Sequence, residues 1–186
     1  MKKIIVLAAI AFAAIMSHGA SVYWTCTNVY AGNEVDKVSG VAYFLTTDML
    51  AYSDAQALAG KGADAIKAAL GSAYSYTATD GTFSKATTAA VSNADLGLAD
   101  STGYTAYLMV FNANSIDDAT GFYLTDTKAL TTMTGTATSQ VKFGSQSTNS
   151  KVAGNWASTS EGVPEPTSGL LLLVGGAMLA LRRKQK

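Results

Sequence analysis

The chain has 186 residues, 48% of them hydrophobic, with 13 basic and 13 acidic side chains and a formal net charge of zero. That neutrality hides a split: between residues 21 and 160, seven lysines stand against eleven acids, a balance of −4, while the extreme C-terminus carries Arg182, Arg183, Lys184 and Lys186. A mildly acidic body has no attraction for phosphate backbones, which argues against a nucleic-acid partner, and the single cysteine, Cys26, excludes an internal disulfide and any paired-cysteine zinc site.

Residues 1–20 read as a secretion signal peptide that enters the translocon as a short helix. Lys2 and Lys3 give a positive start, Ile4 to Met16 is uninterruptedly apolar, and Ser17-His18-Gly19-Ala20 offers small residues for cleavage. A cut after Gly19 places Ser17 and Gly19 in the small-residue pockets. A cut after Ala20 places the bulkier His18 there, and both remain open. The apolar run is short for a permanent span.

Residues 21–143 read as a β-rich extracytoplasmic domain. Val22 to Tyr30 alternates, with Val22, Trp24 and Cys26 on one side, so it predicts a half-buried strand. Val38 to Thr46 is apolar on both sides and predicts a central strand. Ser53 to Leu70 carries the only helical pattern. Ser53 and Gln56 have capping-box spacing, Leu58, Ala65, Ile66, Ala69 and Leu70 make an apolar stripe, and Gly71 is a natural stop. Gly60 and Gly62 are the places where this helix would break.

Tyr74 to Thr79 predicts a strand, with Asp80-Gly81 as a turn signal. Ala86 to Val91 fits either a strand or a surface loop. Gly103 to Asn112 is the strongest strand, and Gly121 to Thr127 follows after a polar turn as its hairpin partner. Thr136 to Phe143 predicts a last, weaker strand. Residues 144–162 are rich in Ser, Asn and Thr and predict a solvated tether with one large apolar residue, Trp156. The fold class that follows is mainly β, an antiparallel sandwich or an α+β sheet with one helix.

The residues for chemistry are sparse. Removal of a signal ending at Gly19 or Ala20 takes away His18, the only histidine, and with it the usual Ser-His-Asp and Cys-His catalysis and histidine-ligated metal. A hydrolase would need two carboxylates about 5–9.5 Å apart in a cleft, and no motif pairs the acids that way. Asn112, Asn114, Asp117 and Asp118 have oxygens for Ca²⁺ but lack the glycine and terminal Glu of a calcium loop. The expectation is no enzyme, no metal and no cofactor. Tyr23, Trp24, Tyr30, Tyr104, Tyr107 and Trp156 would stack on sugars if exposed, and otherwise belong to the core.

Residues 163–186 complete the chain. Pro164-Glu165-Pro166 forms a stiff extended segment, Leu170 to Leu181 is apolar, and Arg182, Arg183 and Lys184 make a basic stop. Residues 167–181 read as a transmembrane helix that rises only about 22 Å against about 30 Å of hydrocarbon. So marginal a span suits a transient membrane anchor.

Pro164-Glu165-Pro166, the apolar stretch and the terminal Arg-Arg-Lys together resemble the PEP-CTERM sorting signal. The resemblance covers only this C-terminal segment. It implies recognition by an exosortase, cleavage near Pro164-Glu165-Pro166, and delivery to the cell surface or the extracellular, biofilm-like matrix. The expected function is accordingly structural or adhesive at that surface. The alternatives are a carbohydrate-binding module for extracellular polysaccharide and a carboxylate-dependent hydrolase.

Overall fold

Alternation along the first strand sets the architecture. The computed structural model describes residues 19–30, 36–145 and 156–161. In β1 (Ser21–Thr27), Val22, Trp24 and Cys26 are 0%, 0% and 3% exposed, while the residues between them are half-buried. β1 is the middle strand of a three-stranded sheet. It pairs antiparallel with the short β4 (Val91–Ser92) and parallel with β8 (Thr138–Ser145). The register with β8 shifts between Thr25 and Cys26, which face Lys142 and Gly144, so Phe143 is bulged out.

The second sheet has six strands in the order β3 (Ser75–Ala78), β2 (Gly40–Thr46), β5 (Gly103–Phe111), β6 (Gly121–Leu124) and β9 (Ala157–Ser158). β7 (Lys128–Thr131) pairs with the first half of β5, and β6 with the second half. The apolar-on-both-sides reading of the second predicted strand corresponds to burial on both faces of β2. Ala42 and Phe44 join a core with Trp24, Val141 and Phe143 between the sheets. Val41 and Leu45 join a second core beneath the helices. β5 divides the same way, with Ala106, Leu108 and Val110 inward and Tyr107, Met109 and Phe111 toward the helices. The protein is therefore mainly β, built in three layers: small sheet, large sheet, helices. Each fully buried side chain of this size contributes about 1.5–3 kcal/mol.

The predicted helix breaks where its glycines lie, and two helices replace the expected one. α1 (Tyr52–Ala57) and α2 (Ala63–Leu70) are separated by Gly60 and Gly62, at φ +70° and +85°. The Ser53/Gln56 capping box does not form. Ala51 is the N-cap and makes no side-chain bond, because the helix starts two residues earlier than the motif requires. Ala55, Ile66 and Leu70 are the buried positions, and α2 ends at Gly71 as expected.

Asp80-Gly81 is a tight turn with both φ values positive, closed by Thr82 N–H to the Thr79 carbonyl at 3.1 Å. It makes no hairpin. The chain crosses instead to the other sheet, where Phe83 and Lys85 donate to the carbonyls of Cys26 and Trp24 at 2.8 and 2.9 Å. Ala86 to Val91 becomes a 3₁₀ turn (Thr87–Ala89) leading into β4. Two further expectations are corrected. The last strand is not weak, because it lies along all of β1, and that pairing is parallel rather than antiparallel. The tether region is partly folded: β8 runs through Ser145, and Ala157–Ser158 add β9 to the large sheet.

Among the described residues no helix is long and apolar enough to cross a membrane. The predicted signal helix and the predicted membrane helix at residues 167–181 lie outside the described residues.

Candidate functional site

The residues singled out for processing separate into two groups. Gly19 is exposed, whereas Ala20 is 2% exposed and its carbonyl accepts the Asn93 N–H at 2.8 Å. Pro164, Glu165, Pro166, Arg182, Arg183 and Lys184 lie outside the described residues.

The aromatic candidates for sugar stacking are mostly structural. Trp24 is fully buried, and its Nε1–H donates to the Tyr76 hydroxyl at 2.9 Å and the Phe83 carbonyl at 3.2 Å. Tyr107 is fully buried and donates to the Leu50 carbonyl at 2.7 Å, and burial holds its hydroxyl well above the ordinary range. Tyr104 accepts the Ala99 N–H at 2.8 Å. Trp156 is half-buried, donates to the Tyr30 carbonyl at 3.0 Å and packs on Tyr123 with ring centroids 6.1 Å apart. It docks the chain ahead of β9. The exposed large hydrophobics among the described residues are Met49 and Met133, so no exposed aromatic row is present there.

The oxygen-bearing loop after β5 is used for folding. The Asn112 side chain accepts the N–H groups of Thr120 and Gly121 at 3.0 and 3.1 Å, and so closes the loop that returns to β6. Asp117 pairs with Lys67 at 2.6 Å, and Lys67 also reaches Asp64 at 3.3 Å. These contacts raise the Lys67 pKa, the Asp117 hydrogen bond first and that of Asp64 second. Cys26 is sealed in the inter-sheet core, where burial pushes its thiol up to about 12. At neutral pH it keeps its proton.

One concave site has the make-up of a ligand cleft, and sequence reasoning missed it. It lies on the helix side of the large sheet, between α1 and the β6–β9 edge, and encloses about 350 Å³. That is at the lower end of ligand-sized pockets, which run from about 300 to 1,000 Å³. Phe122, Leu124 and Ala157 are its apolar residues, Tyr52 lines it from α1, and Gln56 and Asp126 carry its polar groups. Tyr123 also borders it, but that residue packs into the core on the opposite face of the strand.

Tyr52 and Gln56 stand one helical turn apart on α1, so they share a helix face. The Tyr52 ring meets Tyr107 edge to face at 5.1 Å, which fixes its orientation. Burial, and then the negative charge of Asp126, raise the pKa of its hydroxyl, so it stays protonated and able to donate. Among the described residues none that lines it is basic. Tyr52, Gln56 and Asp126 are brought together only by the packing of α1 on the sheet. The one local signal was an aromatic and an amide at i, i+4 spacing on a helix.

Compared with known protein families, curated proteins and solved structures, the chain finds no match.

Proposed function

We propose that this chain is an exported cell-surface or extracellular-matrix protein, sorted by an exosortase through Pro164-Glu165-Pro166 and acting as a structural or adhesive element. The observation that carries the reading is the order of segments in the sequence. A positively started apolar run comes first, then a water-compatible domain, a Pro-Glu-Pro segment, a second apolar run and a terminal basic cluster. A mature domain that began at Ala20 would keep that buried residue and its bond to Asn93.

The proposed role is non-catalytic. The thiol is sealed away, and the oxygen-bearing loop after β5 serves the fold. Mass spectrometry of the protein recovered from its producing organism tests the proposal. The expected mature chain begins at Ala20 or Ser21 and ends near Pro164-Glu165-Pro166. A chain recovered with Met1 and Lys186 intact overturns it.

A further inference from the structure

The cleft between α1 and β6 combines a fixed aromatic ring, the half-buried Leu124 and two solvent-facing polar side chains of complementary type. Pyranose rings are amphipathic in a matching way. Their axial C–H faces pack on aromatic and aliphatic surface, and their hydroxyls both donate and accept around the rim. The half-buried Tyr52 and Leu124 offer the apolar contact, and Phe122, itself buried, backs the site. The Gln56 amide both donates and accepts, whereas the Asp126 carboxylate accepts only, and charge-assisted bonds of that kind are the stronger ones.

The charge of the site narrows the class further. Among the described residues Asp126 is the only charged one that lines the site, so a uronic acid or sulfated sugar would enter against a like charge.

We infer that the cleft formed by Tyr52, Gln56, Phe122, Leu124 and Asp126 binds a sugar unit that carries no negative charge, a neutral or amino-bearing pyranose of an extracellular polysaccharide. This deepens the surface-protein reading and rests on it only for where such a polymer would be met. α1 and the sheet already hold the ring, so binding orders little beyond the two exposed polar side chains.

The test is calorimetric titration of the purified full chain, kept in a detergent without sugar groups. The probes are neutral gluco-, manno- and galacto-hexasaccharides, a chitosan hexamer and an oligogalacturonate hexamer. The expected result is binding of at least one neutral or amino hexamer and none of the oligogalacturonate. Gln56→Ala and Asp126→Asn are each expected to weaken that binding about tenfold or more. Tyr52→Ala is expected to abolish it. Because Tyr52 also packs on Tyr107, the two exposed positions carry the test if Tyr52→Ala does not fold. Three results overturn the inference: no hexamer binds, the oligogalacturonate binds as well as the neutral probes, or binding survives both Gln56→Ala and Asp126→Asn. A correctly processed chain that binds no sugar would refute the sugar site alone. A chain with both ends intact that binds sugar would refute the sorting proposal alone.

Discussion

Trp24 and Tyr76 share one acceptor. The indole N–H reaches both the Tyr76 hydroxyl, at 2.9 Å, and the Phe83 carbonyl, at 3.2 Å, and the hydroxyl donates to that same carbonyl at 2.6 Å. Trp24 belongs to the small sheet and Tyr76 to the edge strand of the large one, so this triangle ties the two sheets together. Around it, the Trp24 ring packs on Phe44 at 4.8 Å, and the Lys85 ammonium sits 4.8 Å from the Tyr76 ring centroid.

Removing either corner should be measurable and non-additive. Trp24→Phe keeps an aromatic core residue but loses the donor and volume, and should cost about 1–3 kcal/mol. Tyr76→Phe leaves the indole its second acceptor and should cost only about 0.5–1.5 kcal/mol. In a double-mutant cycle by urea unfolding, the combined change should fall short of the sum. Strict additivity would mean the triangle does not couple the sheets.

Much of this core was legible along the chain, and the reasons are local. Alternation at Val22, Trp24 and Cys26, and two-sided apolarity around Phe44 and Leu108, state which faces are covered whatever covers them. The pairing of β1 with β8 was not legible. A parallel pair needs a long crossover, and here nearly the whole domain is the crossover, so no turn or spacing announces it. Asp80-Gly81 misled for a related reason: its backbone geometry is that of a hairpin turn, but its downstream arm packs on a different sheet. The cleft was illegible because Tyr52 and Asp126 meet only after the helix layer docks.

Alkaline pH should destabilise the fold through its buried titratable groups. Burial pushes the Cys26 thiol from 9.0 to about 12 and raises the Tyr76 and Tyr107 hydroxyls as well. Between pH 9 and 12 the unfolded thiol has lost its proton while the folded one keeps it. The unfolded state then binds fewer protons, so stability present below about pH 9 falls as pH rises, by about 1.4 kcal/mol per pH unit for this one group. Equilibrium unfolding of Cys26→Ala across that range should show a shallower pH slope than the parent. An identical slope would mean the thiol is not the group responsible.

Two strand-starting glycines make opposite predictions. A Cβ on Gly40 would collide with the Phe111 carbonyl and crowd the Ala113 backbone, because β2 enters the sheet against the end of β5. Gly40→Ala must therefore displace backbone, and should cost several kcal/mol, about 3 or more, or prevent folding. A Cβ on Gly103 meets nothing within 4 Å, and its φ is ordinary, so Gly103→Ala should be neutral or stabilise by about 0.4–1 kcal/mol. Thermal melts of the two single variants separate these outcomes directly.

If the chain is exported as proposed, the burial of Ala20 predicts which of the two cuts suits the fold better. Ala20 is buried, and its carbonyl holds the Asn93 N–H at 2.8 Å, just ahead of the point where Ser21 and Val22 pair with Ser92 and Val91. A chain beginning at Ala20 keeps that bond and leaves its ammonium where Gly19 is exposed. A chain beginning at Ser21 loses both the buried methyl and the acceptor. It also places a positive charge at the first residue of β1, beside the fully buried Val22. That should cost about 1–3 kcal/mol, since the Asn93 N–H is left without its partner. Of the two cuts the sequence allows, the one after Gly19 should therefore yield the more stable domain. Comparing melting temperatures of chains that start at Ala20 and at Ser21 measures the difference. Equal melting temperatures would show that the fold does not discriminate between the two cuts.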